Sequence, residues 1–321
     1  MNFYEIVIQP TSGLGTPLKG DTLFGQFCWQ VAYSPHLIDG GLDAALDKYL
    51  ETPFAVFSSA FPKLVDGYAL KRPDIPGTCL FKKESNRKHA YEKHKENKRK
   101  KWIFADQKLR VQVNQDSLRD CGLIQKNVRQ SHNTINRLTQ TTGTGGQFSP
   151  FVTENTYYKP CTVLSIFVCI DPQFTDIVRI RKGLKMIGRF GFGRDASTGM
   201  GRFEIIEHFQ HEWTVKDDDN ACLMLAPSVP SKIDGTVYFS PFVRFGKHGD
   251  YLVHDGNPFK NPIIMADEGA VYYTPNDRGI FDRPYAGKGI RGKSKARASF
   301  SIYTQGFAPY LPFKLEKANA T

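Results

Sequence analysis

The run TVLSIFVCI, residues 162–170, restricts the fold of this chain more than any other feature of its sequence. It carries no charged side chain. Its length and its continuous apolar character are typical of a strand in the middle of a sheet. The sequence therefore predicts a central β-strand at this position.

An amphipathic helix is predicted directly after this strand, in TDIVRIRKGLKMIG, residues 175–188. The aliphatic residues that share one helical face are Ile177, Ile180, Leu184 and Ile187. The basic residues off that stripe are Arg179, Arg181, Lys182 and Lys185. Gly188 suits the position just after a helix, and RFEIIEHF, residues 202–209, then indicates a further strand.

A strand, a helix and a strand also account for much of the first 62 residues. Residues 3–9 indicate a strand, and Asp21 or Thr22 is expected to cap a helix in GDTLFGQFCWQVAY, residues 20–33. The apolar residues at helical spacing are Leu23, Phe24, Phe27, Cys28 and Val31. PFAVFSSAFP, residues 53–62, indicates a short strand that ends at a proline.

The order of these elements predicts an α+β fold. It is the βαββαβ pattern of a ferredoxin-like (RRM-like) domain over residues 1–215. Residues 63 to about 150 fit no regular pattern, and residues 82–150 of them are interpreted as a long basic insertion. The acidic run at 216–220 suggests a boundary. Residues 220–321 contain strands and turns without a long helix, which predicts a β-rich, degenerate second copy and so a tandem arrangement.

The positive charge of the chain is concentrated in one segment. The net charge is +11, and residues 82–110 hold twelve Lys or Arg against four Asp or Glu, a net charge of +8. Such a block is either a solvated segment or a surface for a polyanion. On its own it does not choose between these interpretations.

Several function classes are not supported. There is no run of 18 apolar residues to cross a membrane, and the N-terminus lacks the basic start and apolar core of an export signal. No two cysteines are spaced as CxxC, and no histidines cluster with them. We therefore expect a cytoplasmic protein with buried free thiols and no metal or cofactor. The cysteines are Cys28, Cys79, Cys121, Cys161, Cys169 and Cys222.

The stretch GRFGFGRDASTGMGRF, residues 188–203, holds five glycines and three arginines. It contains a loose GxGxxA, but a dinucleotide fingerprint has a strand before it and a helix after it, and here that order is reversed. One remaining interpretation is a turn whose glycines only supply positive φ. The other is a loop whose bare amides, hydroxyls and guanidinium groups hold phosphate oxygens. The alternation of Arg189, Arg194 and Arg202 with glycines favours contact with RNA at the rim of the sheet.

Four segments together resemble the RAMP superfamily of CRISPR-associated proteins. GFGRDASTGMGRFEI, residues 191–205, is similar to its glycine-rich signature. LKGDTLFGQFCW, residues 18–29, resembles the start of helix one in the subunit that caps the 5′ end of the guide RNA in type III-A effector complexes. HNTINRLTQTTGTGGQF, residues 132–148, and GFAPYLPF, residues 306–313, are similar to later segments of that family. The basic segment 82–110 has no counterpart.

The resemblance implies a non-catalytic RNA-binding subunit of a type III ribonucleoprotein in antiviral defence. Such a subunit holds the repeat-derived 5′ tag of the CRISPR RNA. Its partners are a large Cas10-type subunit and backbone RAMP subunits, and it meets target RNA only indirectly. On this interpretation the chain is not an enzyme.

Candidate RNA contacts lie first at the start of helix one. Lys19 and Gly20 precede a helix whose N-terminus can face a phosphate, and Thr22 offers a hydroxyl there or serves only as a cap. In the glycine stretch the candidates are Gly191, Gly193, Arg194, Ser197, Thr198, Gly199, Gly201 and Arg202. Its three phenylalanines are assigned to packing: Phe190, Phe192 and Phe203.

A third group of candidates lies in the polar segment near residue 135. Single-stranded RNA is recognised by stacking and by hydrogen bonds to base edges. His132 could therefore stack on a base, and Asn136 and Arg137 could contact a base edge or phosphate. As alternatives, the asparagine serves a turn and the arginine is merely solvated.

Two other functions stay open from the sequence. The first is a metal-independent endoribonuclease that processes the CRISPR precursor, with His36 as general acid or base and Tyr33 nearby. A lone histidine in SPHLIDGG also suits an ordinary loop, and no acidic cluster fits two-metal cleavage. The second is a basic scaffold protein without a specific RNA.

Overall fold

The computed structural model describes residues 1–81, 95–97, 99–120, 124–143, 148–232, 234–249, 257–293 and 301–316. In the basic segment 82–110, residues 82–94 and 98 lie outside the described ones, so the interpretation of this segment as a polyanion surface falls only partly on described residues. The helices are α1 (Gly20–Tyr33), α2 (Gly41–Asp47), α3 (Gly77–Leu80) and α4 (Ile177–Phe190), with 3-10 turns at Pro35–Leu37, Gln115–Ser117, Ala196–Thr198 and Gly279–Asp282. The strands are β1 (Asn2–Pro10), β2 (Ala55–Pro62), β3 (Gly67–Lys71), β4 (Trp102–Asp106), β5 (Leu118–Arg119), β6 (Gln125–His132), β7 (Phe151–Tyr158), β8 (Leu164–Ile170), β9 (Phe203–His211), β10 (Ala221–Met224), β11 (Thr236–Tyr238), β12 (Pro241–Arg244), β13 (Ile263–Ala266), β14 (Val271–Tyr273), β15 (Tyr285–Gly287), β16 (Ile290–Lys293), β17 (Ser301–Thr304) and β18 (Phe307–Phe313).

The first sheet contains four antiparallel strands in the order β2–β8–β1–β9. With α1 between β1 and β2, and α4 between β8 and β9, the connection is βαββαβ. The predicted order of elements in the first half is therefore observed. The predicted central strand, β8, is buried along its whole length.

The first sheet is covered on both faces. Phe57 of β2 packs against Phe27 of α1, with ring centroids 5.5 Å apart, so the helices lie on this face. Phe57 pairs with Val168, so the neighbouring Phe167 points to the opposite face. There Tyr68 of the small sheet β3–β4–β5 meets Phe167 edge-on at 5.2 Å.

A buried carboxylate, Glu5 of β1, links the first sheet to the small sheet β3–β4–β5. Tyr68 Oη donates to it at 2.8 Å and Ser165 Oγ donates at 2.5 Å. Lys63 Nζ lies 3.0 Å away and His211 Nε2 lies 3.1 Å away. Burial alone raises the pKa of Glu5, but the hydrogen bonds from these four groups outweigh it and lower the pKa to about 2. The carboxylate is therefore ionised and fully paired.

The start of α1 differs from the sequence prediction. Its N-cap is Lys19, not Asp21 or Thr22, and no side chain caps the helix. Asp21 lies in the first turn, where Arg244 of the second half donates to both carboxylate oxygens, at 2.6 and 2.9 Å. Asp21, which the local sequence pattern predicts as a helix cap, is therefore paired instead with Arg244, which is distant in the chain.

The end of α4 also differs from the prediction. Gly188 lies inside the helix, which continues to Phe190. A Cβ on Gly188 would stand 2.2 Å from the carbonyl oxygen of Phe203 on β9. This glycine therefore allows close packing of helix on strand rather than ending the helix.

The segment expected to lack regular structure contains strands. The largest element is the hairpin β6–β7, which is paired over eight residues from Gln125↔Tyr158 to His132↔Phe151. Most of its side chains are exposed, and those of β6 on both faces. Its strands therefore lack the apolar alternation by which a half-buried strand is recognised.

The second half is built from strands. Its largest sheet has the order β11–β14–β10–β18–β15, and all neighbours are antiparallel. Without β15, the chain order across this sheet is second, third, first, fourth, as in the first sheet. The described part of this half contains a 3-10 turn but no α-helix.

The two halves meet along β2. The side-chain amide of Gln305 accepts from the Phe57 amide at 2.9 Å and donates to the Phe57 carbonyl at 2.7 Å. The amide of Ser59 donates to the Leu225 carbonyl at 2.8 Å. Apolar residues of both halves belong to the same buried cluster. The junction therefore replaces missing sheet hydrogen bonds of β2 with partners from the second half.

The cysteines in the described residues are all free. Cys169 and Cys222 are buried, whereas Cys161 is exposed and departs from the expectation of buried thiols. Cys121 lies outside the described residues. No helix in the described part of the chain is long and apolar enough to cross a bilayer. Within that part, no three His, Cys, Asp or Glu side chains are grouped as metal ligands.

Candidate nucleic-acid interface

The glycine stretch forms a tight loop between α4 and β9, residues 191–202, here called the glycine loop. Gly191 follows the end of α4 with φ at 105°. Gly201 has φ at 75°, and a Cβ there would stand 2.1 Å from the Phe192 carbonyl oxygen. Backbone conformation disfavours a side chain at both glycines, and space excludes one at Gly201. These glycines therefore serve the turn itself.

Many backbone amides of the glycine loop are bonded within the protein. The first part of the connection between β1 and α1, residues 11–16, lies beside it and is here called the 11–16 loop. The Gly201 amide donates to the Gly13 carbonyl at 2.8 Å, and the Arg194 amide donates to Thr16 Oγ1 at 3.0 Å. The expectation of bare amides is wrong at these positions, because the 11–16 loop occupies them.

The side chain of Arg194 is also used internally. Its Nη2 donates to the Glu154 carbonyl at 2.7 Å and to Asn155 Oδ1 at 2.8 Å. Its Nε lies 3.2 Å from the Asp195 carboxylate. Arg194 therefore fastens the hairpin β6–β7 to the glycine loop, and its charge is already paired.

Besides Arg194 and Asp195, the glycine loop has three exposed polar side chains. Ser197, Thr198 and Arg202 are exposed, and Thr198 Oγ1 donates to the Asp195 carbonyl at 2.9 Å. The Ser197 hydroxyl and the Arg202 guanidinium have no hydrogen-bond partner among the described residues. These two groups are the ones best able to contact a ligand from this loop.

The hairpin carries two stacked rings at the base of its tip. His132 and Phe151 are its last pair, with ring centroids 5.3 Å apart and planes 16° apart. His132 Nε2 lies 2.9 Å from Thr153 Oγ1, which fixes the imidazole. Phe151 is half exposed. The sequence interpretation included the histidine and missed its partner ring.

Asn136 and Arg137 lie beyond these rings, in the tip of the hairpin. Asn136 Oδ1 accepts from the Leu138 amide at 3.0 Å, so its side chain serves the turn. Arg137 is exposed, and its side chain has no partner in the described part of the chain. Of the two residues, the arginine is the better placed for RNA.

The predicted contacts on the hairpin and on the glycine loop do not form one pocket. Arg194 reaches the hairpin at Asn155, and Phe151 lies four residues back along β7, roughly 13 Å away. The groups are therefore spread along one extended surface. That arrangement suits a strand of nucleic acid better than a small ligand.

Lys19 is placed at the junction between the halves. Its Nζ forms ion pairs with Asp267 and, at 2.8 Å, with Glu268, and lies 4.4 Å from the centre of the Phe242 ring. Burial raises the pKa of Glu268, and the charge of Lys19 opposes that shift. The lysine therefore holds α1 to the second half, and little of its side chain is exposed.

Gly20 and Thr22 belong to the same junction. A Cβ on Gly20 would stand 2.2 Å from the Phe57 carbonyl oxygen and 2.9 Å from the Cβ of Ala226. The Thr22 hydroxyl is buried and has no hydrogen-bond partner among the described residues. The predicted phosphate contact at the start of α1 thus falls where two parts of the protein already pack together.

His36 lies in the 3-10 turn after α1 and is exposed. Its Nε2 is 2.8 Å from Nζ of Lys182, which lies near the middle of α4. The glycine loop begins nine residues after Lys182, roughly 13 Å further along the helix axis. The candidate general base therefore lies apart from the candidate phosphate contacts of the glycine loop.

Sequence reasoning missed the 11–16 loop as part of the interface. The signal was two further glycines in PTSGLGTPLKG. A Cβ on Gly13 would stand 2.6 Å from the Tyr157 ring, and one on Gly15 would stand 2.7 Å from the Arg194 carbonyl oxygen. Their close approach to distant residues is not readable from local spacing.

Comparison with known proteins identifies the fold. No protein-family model and no curated protein matches the chain. A chain of the Csm3–Csm4 subcomplex of a type III-A CRISPR-Cas interference complex matches over 98% of this chain and 100% of its own length, with a TM-score of 0.58 and 13% identity. A chain of a Csm1–Csm4 cassette in complex with cA4 matches over 99% and 100%, with a TM-score of 0.56 and 13% identity.

This chain shares its fold with chains of the Csm3–Csm4 and Csm1–Csm4 structures. A further Csm1–Csm4 structure, in complex with pppApA, covers the whole of both chains with a TM-score of 0.55 and 14% identity. At these identities the likeness is one of fold. It extends over both halves, including the β-rich second half.

Proposed function

We propose that this chain is the non-catalytic subunit of a type III CRISPR interference complex that holds the repeat-derived 5′ tag of the CRISPR RNA. The observation that carries the proposal is the full-length likeness of fold to chains crystallised as Csm1–Csm4 and Csm3–Csm4 assemblies. By extension, its partners are a large Cas10-type subunit and backbone RAMP subunits in the cytoplasm. Target RNA is met only through that assembly.

The RNA-binding part of the proposal rests on the groups that the fold leaves open. Arg202 and Ser197 face outward from the glycine loop, and Arg137 projects from the hairpin tip. His132 and Phe151 form a ring surface between them. Guanidinium groups for phosphates and rings for splayed bases are the two elements that single-stranded RNA binding uses.

We infer further that the second half is a degenerate copy of the first. Four of its strands repeat the spatial order of the first sheet, and all pairs are antiparallel. Where the first sheet has α1 and α4, the described part of the second half has no α-helix. Packing of the second sheet against β2 and β8 provides apolar cover that helices would otherwise give.

The test compares a tag-bearing RNA with a scrambled RNA in the reconstituted complex. Arg137→Gln with Arg202→Gln should weaken binding of the tag-bearing RNA roughly tenfold, because two phosphate or base contacts are lost. Lys232→Gln is the matched control, an exposed cation of the second half, and should leave affinity unchanged. Equal affinity of the wild-type complex for the two RNAs would rule out tag recognition.

The endoribonuclease alternative keeps one supporting observation, the 2.8 Å contact between His36 and Lys182. A histidine beside a lysine can move a proton and stabilise charge without metal. Incubation of the purified chain with repeat RNA in EDTA decides between the two functions. A discrete product that His36→Ala abolishes would establish the enzyme, and intact RNA supports the binding subunit.

A further inference from the structure

The outer face of α4 carries a concentration of positive charge. The helix contains five Lys or Arg and no Asp or Glu in fourteen residues. Its buried side is formed by Ile180, Gly183, Leu184, Ile187 and Gly188. Lys182, Lys185 and Arg189, spaced i, i+3 and i+7, project on the opposite side and are exposed. They form a stripe about 10 Å long.

These cations lack the acidic partners that usually accompany a solvated helix face. Arg179 alone, of the five, forms ion pairs with described residues, at 2.7 Å to Asp39 and 3.3 Å to Asp176. A helix exposed only to solvent is commonly stabilised by acids three or four residues away, and Lys182, Lys185 and Arg189 have none at these spacings. Lys185 and Arg189 have no ion-pair or hydrogen-bond partner in the described part of the chain.

Two further basic side chains lie around the stripe. Lys182 contacts the imidazole of His36 rather than a carboxylate. Arg181, at the edge of the stripe, has a buried Nε without a hydrogen-bond partner among the described residues. In the described part of the chain, neither Lys182 nor Arg181 forms an ion pair with a carboxylate.

An aromatic ring ends the stripe. Phe190 was assigned to packing with its neighbours, but it is 67% exposed, whereas Phe192 and Phe203 are buried. It directly follows Arg189 and precedes the first residue of the glycine loop. A row of cations ending in an open ring is the combination that binds single-stranded nucleic acid, since the ring can stack on a base of any identity.

We propose that the outer face of α4, formed by Lys182, Lys185, Arg189 and Phe190, is a second binding surface for single-stranded RNA, distinct from the tag-reading groups. It binds phosphates and stacks a base without regard to sequence. The charge and ring argument stands by itself, but the identity of the RNA as the CRISPR RNA rests on the proposed function. The surface continues into the glycine loop, so one RNA strand could follow both.

The test measures the salt dependence of binding of a fluorescent 20-nucleotide uridine RNA to the full chain. The triple variant Lys182→Gln, Lys185→Gln, Arg189→Gln should bind roughly tenfold more weakly, and its log–log salt slope should fall by about 2, since each single-strand phosphate contact contributes about 0.7. The matched control removes three exposed cations that lie after the first half: Lys216→Gln, Lys232→Gln, Lys314→Gln. It should change neither quantity.

The ring is tested separately from the charge. Phe190→Ala should weaken binding severalfold without changing the salt slope, and Phe190→Tyr should restore it, because stacking needs only a ring. An unchanged salt slope in the triple variant would overturn the proposal. Binding of poly-glutamate as tight as that of the RNA would also overturn it, and would indicate an acidic protein partner instead.

This outcome is separable from that of the proposed function. Loss of tag preference in Arg137→Gln with Arg202→Gln, with no effect of the α4 variant, would leave tag recognition standing and remove the second surface. A reduced salt slope in the α4 triple variant, together with no preference of the complex for the tag-bearing RNA, would support the second surface and rule out tag recognition.

Discussion

Arg194 and Arg189 lie five residues apart, on either side of the end of α4, and have opposite environments. Arg194 is bound to the Glu154 carbonyl, the Asn155 side chain and the Asp195 carboxylate. Arg189 projects from the outer face of α4 and has no partner among the described residues. Arg194 of the glycine loop holds the structure together, whereas the described residues offer Arg189 of α4 no acceptor.

The difference shows that a basic residue beside glycines is not by itself a phosphate contact. The glycines let the 11–16 loop and the hairpin approach closely, and that same approach brings acceptors to Arg194. On the outer face of α4, the described residues place no hydrogen-bond acceptor against Lys185 or Arg189. Phosphate contacts are therefore better sought where cations lack internal acceptors than where glycine and arginine alternate.

The largest expected effect contrasts two glycines of the loop. Gly201→Ala should destabilise the protein by on the order of 4 kcal/mol, because the new Cβ meets the Phe192 carbonyl oxygen at 2.1 Å at positive φ. Gly199→Ala shares the positive φ, but no atom lies within 4 Å, so about 1 kcal/mol is expected. Urea unfolding measures both. Equal losses of stability in the two variants would mean that the close approach of Phe192 to Gly201 has no effect on stability.

A pH titration extends the comparison to another cation used internally, Lys63 beside Glu5. The folded pKa of Glu5, about 2, lies below its ordinary value of 4.5. Its contribution to stability, about 3 kcal/mol, is therefore fully present above pH 4.5 and is lost as the pH falls toward 2. Glu5→Gln should flatten stability over that range.

The control for the titration is Lys185→Gln, which removes a cation without an internal partner. It should leave the acid profile of wild type unchanged. If Glu5→Gln retains the full loss of stability between pH 4.5 and 2, the pairing of Glu5 does not control that range.

A smaller effect separates the two arginines directly. Arg194→Ala should destabilise the protein by about 2 kcal/mol, because the buried Asn155 Oδ1 and the Glu154 carbonyl lose a charged donor. Arg189→Ala should change stability by less than about 0.5 kcal/mol. The order of the two variants reverses for binding of the 20-nucleotide uridine RNA, which Arg189→Ala should weaken more than Arg194→Ala. Thermal unfolding and fluorescence anisotropy of the two variants check both halves of this prediction, and equal stability losses would contradict it.

The sequence predicted those elements whose buried side chains form a recognisable apolar pattern. The strand Leu164–Ile170 and the apolar face of α4 are periodic or continuously apolar, so β8, α4 and the order of the first sheet could be derived. The hairpin β6–β7 was missed because its strands are largely exposed and carry no such period. The predicted cap of α1 was wrong because Arg244, which is distant in the chain, pairs with Asp21.

The candidate site was predictable in part. Exposure of Arg202, Ser197 and Arg137 agrees with their selection as RNA contacts, which stays a prediction. The internal use of Arg194 was not foreseeable, since Thr16 is 178 positions away and Asn155 is 39 positions away in the chain. Phe190 is exposed against expectation, and it is not one of the residues that form the buried side of α4.

The most direct test is photo-crosslinking of a CRISPR RNA with 4-thiouridine in its 5′ tag to the reconstituted complex, followed by peptide mapping. The account predicts crosslinks in the glycine loop, at the His132–Phe151 rings and in the hairpin tip. Tag crosslinks confined to the second half, with none on these segments or on α4, would contradict it.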